Sequence, residues 1–93
     1  MTDAEIIIRA LGDELRLEFP HLKITNTSWP EPNYAPSLMI RDSQSKTSMI
    51  QIELSGGLVT IYRRLRPDDT IELSDPSLFD KITGIIKADI LHG

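Results

Sequence analysis

The stretch Met49-Ile50-Gln51-Ile52-Glu53-Leu54-Ser55-Gly56-Gly57-Leu58-Val59-Thr60-Ile61-Tyr62-Arg63 decides the fold, because apolar and polar residues alternate on both sides of a Gly-Gly pair. A period of two turns one face of each segment toward a core, and two glycines supply the positive φ angles that a two-residue hairpin turn demands. The turn also sets the register: Ser55 opposes Leu58, Leu54 opposes Val59, Ile52 opposes Ile61, and Ile50 opposes Arg63. One face then carries Ile50, Ile52, Leu54, Val59 and Ile61, and the other carries Met49, Gln51, Glu53, Thr60 and Tyr62.

Working outward, Leu22 to Thr27 alternates in the same way and is rich in β-branched residues, so it reads as a half-buried strand. Leu38 to Asp42, Ser48 to Leu54, Leu58 to Leu65 and Thr70 to Leu73 follow as further strands. Ser43-Gln44-Ser45-Lys46, Gly56-Gly57 and Pro67-Asp68-Asp69 separate them. Connections this short join antiparallel neighbours and predict a meander. Between the first two strands, Trp29-Pro30-Glu31-Pro32-Asn33-Tyr34-Ala35-Pro36-Ser37 holds three of the six prolines and reads as a stiff, extended surface loop.

Helices flank the strands. Thr2-Asp3-Ala4-Glu5 is a capping box, and Ala4, Ile8, Leu11, Leu15 and Phe19 then recur at helical spacing, with Ile7 widening the stripe, until Pro20. Gly12 inside this helix costs about 1 kcal/mol relative to Ala, which points to close packing against a neighbour. Asp75-Pro76 opens a second helix, 76 to about 91, with Leu78, Phe79, Ile82, Ile85, Ile86, Ile90 and Leu91 on its apolar side. The expected fold is one compact α+β domain over residues 1–93: an N-terminal helix, a five-stranded antiparallel meander and a C-terminal helix, with both helices on one face of the sheet.

Size and charge bound the function. Ninety-three residues fit one core and leave no cleft between lobes, and a net charge of −4 disfavours broad binding to phosphate backbones or anionic lipid. The absence of cysteine removes disulfides, thiolate nucleophiles and thiolate metal sites, and makes a reducing cytoplasm the expected setting. Ile6-Ile7-Ile8 is far too short to span a membrane, and no signal-peptide pattern is present.

Arg63 stands out. The Gly-Gly hairpin places it opposite Ile50, on the face the helices cover. Treating Pro67 to Asp69 as a three-residue loop pairs Leu65 with Ile71, Arg64 with Glu72 and Arg63 with Leu73, which returns it to that face. A guanidinium there needs a carboxylate or a route to water, because unpaired burial costs several kcal/mol. Asp80, Asp89 and Glu18 are its candidate partners, and an anion site or a structural ion pair the alternative readings; a bulge near Arg63 would remove the conflict.

The opposite face holds the candidate contact surface. Met39, Arg41, Met49, Gln51, Tyr62 and Arg64 gather there, and Met and Tyr framed by Arg supply adaptable apolar area with a polar margin. Trp29 and Tyr34, in the proline-rich segment, form a second candidate patch, as rigid anchors for a partner or as a cap on the end of the core. Arg63, Arg64 and Arg66 form the one basic cluster and are able to neutralise two or three phosphates, but Asp68, Asp69 and Glu72 follow at once. His21 and His92 lie at element ends, and no nucleophile, metal or phosphate-loop motif is present. Neither catalysis nor a cofactor or metal is therefore expected. The reading is a small, non-enzymatic protein-interaction module of the adaptor, immunity or phage-inhibitor kind, binding a partner or itself through the exposed sheet face. A nucleic-acid accessory role for Arg63, Arg64 and Arg66 and an enzyme of unrecognised type are the alternatives.

Overall fold

The computed structural model describes residues 3–29, 35–42, 49–63 and 66–91. Helix α1 (Asp3–Glu18) leads into strands β1 (Leu22–Trp29), β2 (Ala35–Asp42), β3 (Met49–Ser55), β4 (Leu58–Arg63) and β5 (Arg66–Glu72). Helix α2 (Leu78–Ile86) follows and runs on into a π-helical turn, Lys87–Leu91. The strands form one antiparallel sheet in the order β1-β2-β3-β4-β5.

Both helices press on the face the alternation predicts. Ile8 and Leu15 of α1 and Phe19 just after it, with Ile82, Ile86 and Ile90 beyond the meander, are buried against Leu22, Ile24, Leu38, Ile40, Ile50, Ile52, Leu54, Val59, Ile61 and Ile71. The hairpin register is the expected one at every pair from Ser55↔Leu58 to Ile50↔Arg63, and Gly56 and Gly57 adopt φ of 59° and 77°. Gly12 is buried, and a Cβ there would lie 3.0 Å from Leu38 Cδ2, so the helix approaches the sheet so closely that even a methyl group requires Leu38 to yield by a few tenths of an ångström.

Three expectations are corrected. The first concerns Ala35 to Ser37, which belong to β2 and pair with Trp29, Ser28 and Thr27 instead of lying in a loop. The Leu22 amide donates to Phe19 O at 3.1 Å and Ile24 O accepts from Arg16, so the even-numbered residues of β1 turn their backbone groups away from β2. The pairing then turns Pro36 away from β1, toward a side where β3 has already ended its ladder at Ser37↔Glu53, and its missing donor costs no bond.

The second concerns Pro67-Asp68-Asp69, which is not a turn. It lies within edge strand β5, where Leu58 pairs with Glu72, Val59 with Ile71 and Tyr62 with Pro67. Turn-forming chemistry misleads here because an edge strand accepts proline when its nitrogen faces outward. The ladder steps from Ile61↔Asp69 to Tyr62↔Pro67, leaving Asp68 as the extra residue of a bulge. The third concerns the start of α2, at Leu78 and not 76. Asp75 still organises it: one carboxylate oxygen accepts from the Ser77 amide at 2.8 Å and the other from Lys81. The bond from Lys81 and that from Ser77 hold the Asp75 carboxyl below the usual carboxylate range. Its capping is therefore complete above the unfolded-chain pKa and fades only as pH falls through the lowered folded value.

Candidate functional site

The helix-free face is built by cross-strand rows. Arg41 opposes Met49; Met39 opposes Gln51, which opposes Tyr62; Ser37 opposes Glu53, which opposes Thr60. Such rows bring Cβ atoms to about 4.5–5.5 Å across the strands, so five of the predicted site residues form one contiguous patch. Met39, Met49 and Tyr62 are half-buried and Arg41 is exposed. Gln51 is only 5% exposed, enclosed by Met39 and Tyr62 across the strands and by Met49 and Glu53 along its own.

The patch is polarised. At one corner the Arg41 guanidinium points Nη2 at Met39 Sδ, 3.3 Å away, so cation and thioether act as one unit. At the other, Tyr62 donates its hydroxyl to the Glu53 carboxylate. That bond, with partial desolvation and the adjacent negative charge, raises the phenol above its ordinary value of 10.0. Glu53 is thus a neighbour of Tyr62 that composition alone hides. Its signal was the hairpin register, which places it one row from Tyr62 on the same face.

Trp29, Tyr34 and Arg64 are the other residues expected to make contacts. Trp29 ends β1 opposite Ala35, four residues along β2 from Met39 and thus about 13 Å from the nearest member of the patch. Tyr34 and Arg64 lie outside the described residues.

Arg63 is on the helix-bearing face, as the register requires, and its Nη2 donates to Asp69 Oδ2 at 3.2 Å. The partner comes from β5, not from Asp80, Asp89 or Glu18. The misplaced turn concealed it, because Asp69 pairs with Ile61 and projects from the same face as Arg63. With 30% of its side chain exposed, Arg63 reaches the rim, where the ion pair carries little net energy. Arg66 pairs with Arg63 across β4 and β5.

Among the described residues, two concavities lie on the helix side. A groove of about 440 Å³ runs between β5 and α2, lined by Arg63, Asp69, Asp80 and Lys81 among others, and its cations Arg63 and Lys81 are engaged by Asp69 and Asp75. An apolar cleft of about 300 Å³ separates the helices, walled by Ile7, Leu11, Leu73, Leu78 and Phe79, with Glu14 as its charged residue. Among the described residues no group of three or more His, Cys, Asp or Glu is placed to hold a metal, and no helix is long and apolar enough to cross a membrane. Compared with known protein families, with curated proteins and with solved structures, the chain matches none.

Proposed function

We propose that this acidic chain is a small, non-enzymatic, cytoplasmic protein-interaction module that binds a protein partner through the helix-free face of its sheet. One observation carries the reading: half-buried Met39, Met49 and Tyr62 form a contiguous centre around buried Gln51, with Arg41 at one corner and Glu53 at the other. A soft apolar centre inside a charged margin is the composition of contact surfaces. The thioethers adapt to the partner's shape while the charges set orientation. A phosphate-binding role for Arg63, Arg64 and Arg66 has less support, since Arg63 faces the helices and is held by Asp69.

The double variant Met49→Lys, Tyr62→Glu tests the proposal. Both positions are partly solvent-exposed on the face away from the core, so the unfolding midpoint should change little. In a pull-down from host lysate, the partner held by the wild-type chain should be lost. Retention of the same partner by the double variant, or no partner for either chain, would overturn the reading.

A further inference from the structure

The two edges of the sheet are unequal. β5 carries Pro67 and the bulged Asp68, with Asp69 and Glu72 beside them, and these features discourage another strand from pairing there. β1 has no proline and no bulge, and from Ile24 to Trp29 it bears no charge.

Hydrogen bonds along β1 identify which groups face outward. The Leu22 amide is used by Phe19 O, and Ile24 O accepts Arg16 Nε at 3.3 Å and Nη2 at 3.0 Å. By alternation the N–H and C=O of Asn26 and Ser28 face the same open side, and no bond to these four groups is made by another described residue. Open strand groups are a template for a further strand.

We infer that two copies of the chain join antiparallel through their β1 edges, about a two-fold axis at Thr27, into one continuous sheet with five strands from each copy. In this register Asn26 opposes the partner's Ser28, and the four open groups of each copy bond to those of the other. Arg16 already occupies the Ile24 carbonyl, so the new pairing centres on the Asn26 and Ser28 groups. Both copies keep their helices on one side and their Met and Tyr patches on the other. The inference does not rest on what those patches bind.

The charges of α1 support this choice of partner. Glu5, Arg9, Asp13 and Arg16 follow one another at helical spacing on the side of α1 from which Arg16 reaches β1, and their signs alternate. Arg16 Nη1 donates to Asp13 Oδ1 at 2.9 Å within each copy, and, reversed by the two-fold axis, Glu5 meets the partner's Arg16 and Arg9 meets the partner's Asp13, which extends that pair into a network across the axis. The heights agree as well. A Cβ on Gly12 would lie 3.5 Å from Asn26 Oδ1, so these residues are level. Thr27 is one strand step further, roughly two helix residues, which brings the axis close to the middle of the stripe.

Lateral spacing fits too. α1 rests mainly on β1 and β2 and touches β3 as well, so its axis lies somewhat more than half a strand spacing inside the edge. Joining two edges at about 4.8 Å then sets the two α1 helices roughly 10–12 Å apart, within reach of their long charged side chains.

Sedimentation equilibrium of the full chain from micromolar to millimolar concentration, combined with amide hydrogen exchange, tests the arrangement. The expected result is a monomer–dimer equilibrium in which the Asn26 and Ser28 amides become protected as the dimer fills. Arg9→Glu sets like charges face to face at two symmetric places and should weaken dimerisation about tenfold, while Arg9→Glu with Asp13→Arg should recover it to within about threefold. Asn26→Pro removes an outward donor without touching the β1–β2 ladder and should give a monomer; Met49→Lys with Tyr62→Glu should leave the dimer intact. A chain that stays monomeric throughout overturns the inference. So does a dimer in which the Asn26 and Ser28 amides exchange as fast as in the monomer, or one that survives Asn26→Pro.

Discussion

Replacing Ile52 by Ala is expected to remove about 3–4 kcal/mol of stability, the largest loss for any conservative truncation on the sheet. Ile52 is fully buried on the central strand β3, between Leu38 of β2 and Ile61 of β4, both also fully buried. Two flanking positions that are themselves packed cannot collapse into the space, so the cavity term adds to the lost transfer energy. For a domain of this size total stability is about 5–14 kcal/mol, so the variant loses a quarter to more than half of it. In urea the midpoint should fall sharply with an unchanged slope, and Ile52→Val should cost about 1 kcal/mol. A loss below about 1 kcal/mol for the alanine variant would show that the core is not closed over β3.

The second large effect is expected at Gly12. Alanine there gains about 1 kcal/mol of helix propensity but places its Cβ 3.0 Å from Leu38 Cδ2, and Leu38 is fully buried with little room to yield. The two effects oppose each other, and Gly12→Ala should lie within about 1 kcal/mol of the wild type. Gly12→Val adds two methyl groups to the same gap and loses χ1 freedom in the helix, so it should destabilise by about 2–3 kcal/mol. Thermal unfolding of both variants checks this, and a valine variant as stable as the alanine one would mean that α1 can stand off from β2 without cost.

Gly12 also shows how much of the architecture was legible beforehand. A glycine inside an otherwise amphipathic helix implied a close neighbour, and only the assembled fold identifies that neighbour as Leu38. The β3–β4 register followed from Gly56-Gly57 because two positive-φ residues admit few hairpin geometries. The β4–β5 register did not follow, because Pro67-Asp68-Asp69 has the same composition whether it forms a turn or a bulged edge strand. What separates the two is the absence of a neighbour beyond β5, a tertiary fact. For the same reason Asp69 could not be recognised as the partner of Arg63.

The Met and Tyr patch was more accessible than the ion pair. Arg41↔Met49 and Gln51↔Tyr62 are parity statements, and parity survives an error of two residues in strand ends. Hidden from that reasoning was the coupling of Tyr62 to Glu53, a diagonal contact on the same face, and the apolar cleft between the helices. The run Ile6-Ile7-Ile8 gave a faint signal of the cleft: Ile8 enters the core, Ile7 lines the cleft wall, and Ile6 stays 52% exposed.

That the helix-free face is the working surface is tested most directly by a photo-crosslinking residue placed at position 62 and, in a second chain, at Leu17, which is 84% exposed on α1. Irradiation in host lysate should give a defined covalent adduct from position 62 and none from position 17. An adduct from position 17 with none from position 62 would contradict the assignment.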